Sequence, residues 1–256
     1  MNICLFEQNE IESPLNFDDA RGDHILKVLK KKQGDDFTAG IIGGSSGVAR
    51  ISKIDESVRK IFFEFTATGD GKPLNPLKMI VGFPRPIQLR RLLRDVAALG
   101  VSELHLTGTE LGEKSYMQSD LAQPQNAREL LREGTVQAGS THVPQVFIHK
   151  TLKECLQSLD GTGALSLSKG NQKLICLDNI NPKCALSEVK FSKEVPVVAA
   201  IGSERGWTDK ERKLLEESGF IRCGMGSRIM RTETAATVAG AIILNSMGRL
   251  SGQARQ

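Results

Sequence analysis

No uninterrupted apolar stretch in this sequence approaches the roughly 20 residues that cross a bilayer. The opening segment, Met1 to Glu12, is acidic where a secretory signal is basic and then apolar. Both observations point to a cytoplasmic protein. Cys4, Cys155, Cys176, Cys184 and Cys223 are odd in number, scattered and without a C-x-x-C pair, which argues against a disulfide framework and against a zinc site. The four histidines, His24, His105, His142 and His149, are too dispersed to suggest a metal cluster, so no metal is expected, and no Ser or Cys stands in a recognisable nucleophile motif. Metal and triad hydrolases fall away. Neither G-x-G-x-x-G after a first strand nor a Walker G-x-x-x-x-G-K-[ST] occurs, so a nucleotide-like cofactor would need another architecture. Internal repeats and low-complexity tracts are missing as well.

What remains is ordinary folded composition. At 256 residues, 39% hydrophobic and 25% charged, the chain has room for one large domain or two smaller ones. Its net charge of +4 is unevenly placed: residues 1–70 carry 9 Lys/Arg against 12 Asp/Glu, and residues 71–256 carry 25 against 18. The basic excess of the second part is compatible with a phosphate backbone, and equally with a solvated surface.

Short β-like runs over Phe37 to Ile42, Val48 to Ile54 and Lys60 to Thr66, broken by Gly43-Gly-Ser-Ser-Gly47, predict a small β domain in residues 1–70. Within it, His24 to Lys32 reads as a helical insert with Ile25, Val28 and Leu29 on one face and Lys27, Lys30 and Lys31 towards solvent. Asp70-Gly-Lys-Pro-Leu-Asn-Pro76 has linker composition. From residue 77 to 256 strands alternate with helices: Leu77 to Phe83, a helix to Leu99, Glu103 to Thr107, a helix near Asn126 to Thr135, Leu174 to Leu177 and Val195 to Ile201. This alternation implies an α/β domain with a mainly parallel sheet. In the first of these helices Leu89, Leu92, Leu93 and Val96 share one face, leaving Arg90, Arg91 and Arg94 on the other, as a solvated surface or an RNA-backbone contact.

Two C-terminal segments stand out. Val197 to Trp207 is an apolar strand feeding a glycine turn, with a capping box in Thr208-Asp-Lys-Glu211. There Gly202 and Gly206 allow backbone groups to approach a ligand closely and Glu204 supplies an anion, although the segment also reads as a structural turn. Gly224 to Ala236 is a glycine loop entering a helix over Thr234 to Ser246, with Val238, Ala239, Ile242 and Asn245 on one packing face. Arg228, Arg231 and Glu233, crowded just before that helix, are poor core residues and form either a site or an exposed ionic network.

The strings I-G-S-E-R-G-W-T-D-K-E (201–211) and G-S-R-I-M-R-T-E-T-A (226–235) resemble the paired signature I-G-P-E-G-G-F-S-x-x-E and G-x-R-I-L-R-T-E-T-A of the RsmE family, the SPOUT-class enzymes that methylate uracil N3 in 16S ribosomal RNA. Earlier anchors follow in order: His24-Ile-Leu-Lys-Val-Leu-Lys30, Gly34-Asp35, Leu99-Gly-Val101, Lys114-Ser115, Gln137 and Val143-Pro144. The resemblance implies an N-terminal PUA-like β-barrel for RNA and a C-terminal SPOUT domain whose last segment forms a trefoil knot, a feature rare among folds. It implies S-adenosyl-L-methionine bent among three loops: one after Leu177, one comprising Ile201, Gly202, Glu204 and Gly206, and one comprising Met225, Gly226, Ile229, Met230 and Thr232. Arg231 is the candidate to hold the target base, with Glu233 orienting it or capping the helix. Lys27, Lys30, Arg85, Arg90, Arg91, Arg94, Lys114 and Arg228 are the candidate contacts to 16S rRNA or the small ribosomal subunit, and a homodimer is expected. Departures from the pattern are Ser203 and Arg205 for Pro and Gly, Ala98 for Glu, Ser140 for Arg and Arg85 for Lys. Two other readings fit the same strings: an RNA-binding assembly factor without turnover, and a SPOUT methyltransferase acting on a different RNA nucleotide.

Overall fold

The computed structural model describes residues 2–161 and 172–250. Its contacts group Met1–Leu74 with Arg132–Val143 as one compact unit, and Asn75–Leu131 with Pro144–Gln256 as a second.

The first unit holds β1 (Cys4–Phe6), β2 (Leu15–Asn16), a short helix α1 (Ala20–Asp23), β3 (Asp36–Ile41), β4 (Ser46–Asp55) and β5 (Lys60–Gly69). These strands form one sheet in the order β1-β3-β4-β5-β2, parallel only between β1 and β3. Along β4, Gly47, Ala49 and Ile51 face inward while Val48 and Arg50 face out, the period of a half-buried strand. The period breaks at Ser52. Ile51 pairs with Phe63 and Lys53 with Phe62, so Ser52 is the extra residue of a bulge. Phe63 packs against the rings of Phe6 and Phe37 in the core.

The expected helix over His24 to Lys32 is different in kind. His24–Val28 is a π turn, with the Leu29 N–H bonded to the His24 carbonyl five residues back. That wider turn removes the i, i+3, i+4 coincidence, and only Ile25 is buried, while Val28 is 63% and Leu29 40% exposed. Ser140, which stands where the family pattern has Arg, is buried: its hydroxyl donates to the Gly71 carbonyl (3.0 Å) and accepts from the His142 N–H (3.1 Å).

Arg21 is the polar hub of this unit. Its guanidinium donates to the Leu5 carbonyl (2.8 Å), Glu10 (3.0 Å) and Asp19 (2.7 Å). Hydrogen bonds from Arg21 hold the Glu10 and Asp19 carboxyls below the usual carboxylate range. Folded values below unfolded ones mean that the cluster stabilises the fold above the unfolded pKa of about 4 and loses that contribution as pH falls through the folded values. An Arg21→Ala variant therefore shows a lower thermal midpoint at neutral pH and a shallower decline between about pH 5 and pH 3. Equal slopes in both proteins would contradict this.

The second unit comprises β6 (Asn75–Gly82), α2 (Pro86–Ala98), β7 (Val101–Thr107), α3 (Pro124–Ala138, whose last turns belong to the first unit), β8 (Gln145–His149), α4 (Leu152–Gly161), β9 (Lys173–Leu177), β10 (Cys184–Ala185), β11 (Val197–Ile201), α5 (Asp209–Glu217), β12 (Ile221–Gly224) and α6 (Thr232–Ser246). Every strand pair in its sheet is parallel, in the order β10-β12-β9-β11-β6-β7-β8. The central strand β11, Val-Val-Ala-Ala-Ile, is buried along its whole length because helices cover both faces of the sheet. On one face Leu152 and Leu156 of α4 and Leu215 of α5 pack with Ile80, Val198 and Cys176. On the other, α2 lies against α6, and α6 against β6 and β11.

Leu89, Leu92, Leu93 and Val96 of α2 are fully buried and Arg90, Arg91 and Arg94 exposed, as their spacing predicts. For α6 the phase is otherwise. Ala236, Ala239, Gly240, Ile243 and Leu244 are buried, while Val238 and Ile242 are half-buried and Asn245 is exposed. A helix apolar at nearly every position from Ala235 to Leu244 has little amphipathic signal to set its phase, and Gly240 admits the close approach of Met79 of β6, whose Cε would stand 2.7 Å from a Cβ there.

Candidate active site

Leu177, Ile201 and Gly224 end three adjacent parallel strands, β9, β11 and β12, so the loops that follow emerge side by side at the carboxyl edge of the sheet. This is where open parallel sheets bind ligands. A cavity of about 290 Å³ opens there. From the first loop it is lined by Leu177, Asp178 and Ile180, from the second by Ile201 to Gly206, and from the third by Met225, Gly226 and Arg228 to Met230. Thr232 of α6 completes the wall. All ten residues expected to hold a cofactor thus face one space.

The second loop is tightly wound. The Gly206 N–H bonds the Ser203 carbonyl at 2.8 Å, Gly206 takes φ +72°, and a Cβ on Gly202 would stand 2.9 Å from the Gly206 carbonyl carbon. Both glycines are required by this geometry. Ser203, a departure from the family pattern, is buried and accepts from the Thr109 hydroxyl at 3.0 Å. The Glu204 carboxylate accepts from the Arg85 backbone N–H at 2.9 Å, which ties the loop to the segment after β6. Trp207, almost fully buried, donates its indole N–H to the Leu177 carbonyl at 3.2 Å and so joins the first two loops. Behind them α5 starts with the expected capping box: the Thr208 hydroxyl accepts from the Glu211 N–H, and Glu211 accepts from the Thr208 N–H.

Two charged residues not anticipated from the sequence set the floor. Asp178 accepts from the Arg212 guanidinium at 2.6 Å, and the two side chains are only 1% and 10% exposed. The other Asp178 oxygen accepts from the Ile180 N–H at 3.0 Å, while the Asp178 N–H bonds the Cys223 carbonyl, linking the first loop to β12. Pairing with Asp178 raises the Arg212 pKa further above its ordinary value. The position of Asp178, directly after a strand-ending residue already singled out, was the available signal for it.

Arg231 is exposed and lies outside the cavity lining, at the N-cap of α6, where its side chain caps nothing. Glu233 is buried in the first turn of that helix and one of its oxygens, Oε2, has no partner. Among the described residues no ion pair joins it to Arg231. The Thr232 hydroxyl, also buried, has no partner either, and it belongs to the cavity wall. Arg228 lines the cavity and is exposed.

The other basic candidates are dispersed. Arg85 donates through Nε to the Tyr116 hydroxyl at 3.3 Å. Lys114 opens the short helical turn Lys114–Gln118 and lines a second cavity of about 540 Å³. Lys27 pairs with Asp23, and Lys30 is exposed with φ +52°. The two lysines belong to the first unit and the arginines to the second.

The histidines behave differently from their reading in sequence. His105 and His149, although 44 positions apart, form a contact at 3.0 Å, and Cys155 adds a third potential ligand atom within 4.8 Å of theirs. Parallel pairing of β7 and β8 brings together what the sequence disperses.

The parallel sheet and the ligand-sized space at its carboxyl edge are those of a cofactor-binding α/β domain, and the RNA methyltransferase domain family matches residues 71–244. The chain is 45% identical over 248 residues to the ribosomal RNA small subunit methyltransferase E of Treponema pallidum, covering 95% of this chain and 91% of that one. It is 32% identical over 251 residues to the ribosomal RNA small subunit methyltransferase E 1 of Borreliella burgdorferi, covering 96% and 98%. Its fold matches that of a ribosomal RNA small subunit methyltransferase E from Neisseria gonorrhoeae bound to S-adenosyl methionine, with a TM-score of 0.75 at 21% identity, over 96% of this chain and 97% of that one. The chain belongs to the ribosomal RNA small subunit methyltransferase E family.

Proposed function

We propose that this protein transfers a methyl group from S-adenosylmethionine to N3 of a uridine in the 16S RNA of the small ribosomal subunit. The observation that carries this reading is the convergence of all ten anticipated cofactor residues on one cavity in a chain of this family. The residues present fit the donor. Leu177, Ile201 and Met230 offer apolar walls to an adenine, the unpartnered Thr232 hydroxyl awaits a polar group, and Glu204 and Arg228 supply one charge of each sign to an amino-acid end. When bound, the donor supplies an activated methyl group.

The chain's own residues do the rest. Removing the N3 proton leaves negative charge on the uracil ring, and Arg231, permanently cationic and unpaired by any side chain among the described residues, offsets that charge as it develops. Glu233 then acts on the helix start that carries Arg231, an anion in the first turn of α6 where the helix dipole favours one. The proton goes to solvent. Extruding the base costs a few kcal/mol, which phosphate contacts by Arg85, Arg90, Arg91, Arg94, Lys114 and Arg228, with Lys27 and Lys30 of the first unit, offset.

The finer architecture belongs to the same proposal. We take the sheet of the first unit, built on residues 1–70, as a PUA-like RNA-binding module, and residues 77–256 as a SPOUT domain with a trefoil knot. The insertion of β9 between β11 and β12, whose loops meet at one cavity, supports the knot. A homodimer is supported by Ile229, 84% exposed beside the cavity, and by the half-buried Val238 and Ile242 of α6. Among the described residues no helix is long and apolar enough to cross a membrane, and we place the protein in the cytoplasm, where its substrate is.

Calorimetric titration with S-adenosylmethionine is expected to saturate at one per chain, with Gly202→Val weakening it by roughly tenfold or more (about 1.4 kcal/mol). Unchanged binding in that variant would refute the placement of the donor. Replacing Arg90, Arg91 and Arg94 together by alanine is expected to lower RNA affinity and reduce the slope of log K against log salt by about 0.7–0.9 per lost phosphate contact. An unchanged slope would make them a solvated face.

A further inference from the structure

His105, His149 and Cys155 lie outside the cofactor cavity and have no part in methyl transfer as derived above. His105 is on β7, and Ile80, its partner in register on β6, belongs to the core beneath α4, as does Cys155. His149 ends β8, two positions beyond the residue paired with His105, so both imidazoles face the same way. The rings are nearly parallel, 12° apart, with centroids 5.3 Å from each other, and Phe147 stacks on His105 as well. His105, His149 and Cys155 are 3%, 6% and 0% exposed.

The ring orientation is set from outside the cluster. His105 Nε2 lies 3.1 Å from the Glu103 carboxylate, and Glu103 is in turn held by the Lys78 ammonium at 2.7 Å. A carboxylate only accepts, so His105 carries its proton on Nε2 and turns the lone pair of Nδ1 towards His149 Nε2, 3.0 Å away. A carboxylate fixing the remote N–H of an imidazole is the arrangement that supports metal-binding histidines.

We propose that His105, His149 and Cys155 form a binding site for a divalent ion of borderline softness, Zn²⁺ being the best match. Zinc–nitrogen bonds of about 2.0–2.1 Å place two tetrahedral ligand atoms roughly 3.3 Å apart, close to the separation of the two ring nitrogens. A sulfur at about 2.3 Å from zinc lies roughly 3.6 Å from each nitrogen, so closure from within 4.8 Å asks about 1 Å of the Cys155 side chain. On binding, His149 moves its proton from Nε2 to Nδ1, Cys155 releases its thiol proton to solvent as the sulfur–zinc bond forms, and no electron is transferred. The Lys150–Lys153 segment, which joins His149 to Cys155 along the chain, lines the 540 Å³ cavity. The site would pin α4 to β7 and β8.

The test uses the full chain freed of metal by a chelator. Titration with Co²⁺ is expected to give one bound ion per chain, with a water as fourth ligand beside the three side chains, the intense visible absorption of a four-coordinate site and a thiolate-to-cobalt charge-transfer band. Cys155→Ala abolishes that band, His149→Gln weakens binding at least tenfold, and Zn²⁺ raises the thermal midpoint of the unmodified chain but not of either variant. X-ray absorption of the zinc-loaded unmodified protein, which needs no variant to fold, is expected to show a sulfur at about 2.3 Å beside nitrogens at about 2.0 Å. A shell of oxygen and nitrogen only, or a weak six-coordinate cobalt spectrum indifferent to both substitutions, would overturn the proposal.

Discussion

An Arg231→Ala protein is expected to lose about 10²–10³-fold in turnover, the cost of removing one charge-stabilising donor from a developing anion. Its fold should be untouched, because Arg231 is exposed and its side chain neither caps α6 nor enters an ion pair among the described residues. Binding of S-adenosylmethionine should also persist within about threefold, a difference under 1 kcal/mol, since Arg231 is outside the cavity lining while its neighbours Met230 and Thr232 belong to it. Single-turnover methylation and calorimetry on the same preparation separate the two quantities. Turnover near that of the unmodified protein would remove Arg231 from the mechanism, and loss of donor binding in proportion to activity would move it from the target side to the cofactor side.

Arg212→Met is expected to cost about 3–5 kcal/mol of stability, because it strands the Asp178 carboxylate in the floor of the site. For a chain of this size that corresponds to roughly a 10 °C fall in the thermal midpoint. Asp178 also holds the Ile180 N–H and, through its own N–H, the Cys223 carbonyl, so the first and third loops loosen together and donor affinity falls with stability. The double variant Asp178→Asn/Arg212→Met removes both charges and should recover most of the stability, since a neutral pair of similar volume has no charge to desolvate. Recovery of the fold without recovery of donor binding would separate the structural from the ligand-facing part played by Asp178. A single variant within about 1 kcal/mol of the unmodified protein would show that solvent reaches Asp178 and that the ion pair is dispensable.

What could be read from residues alone, and what could not, follows from how each signal arises. The edge of the cavity was legible because strand end, glycine turn and helix cap are contiguous between Val197 and Glu211, and local chemistry dictates local geometry there. The face of α2 was legible because its leucines and arginines segregate sharply. From Ala235 to Leu244 nearly every position of α6 is apolar, so periodicity does not distinguish the buried stripe through Ala239 and Ile243 from the half-exposed one through Val238 and Ile242. The π turn at His24–Val28 defeated a reading that assumed 3.6 residues per turn. The strands β8 and β12 and the helix α4 went unassigned, β12 because four residues carry too little pattern. Pairings such as Asp178 with Arg212 and His105 with His149 exist only once elements far apart in sequence lie side by side. Ser140 and Ser203, departures from the family pattern, prove to be internally bonded in the folded chain. Arg205 is exposed at the cavity and Ala98 at the end of α2, and nothing in the structure explains either substitution.

The most direct test of the account is to incubate the purified protein with labelled S-adenosylmethionine and small ribosomal subunits that lack their methyluridine, then map the label and the reverse-transcription stops on the RNA. A methyl group at N3 blocks Watson–Crick pairing, so the account predicts label in the 16S RNA and a single new stop at a uridine. Label without a stop would place the methyl elsewhere on the RNA, and no label despite measurable donor binding would contradict the proposed reaction.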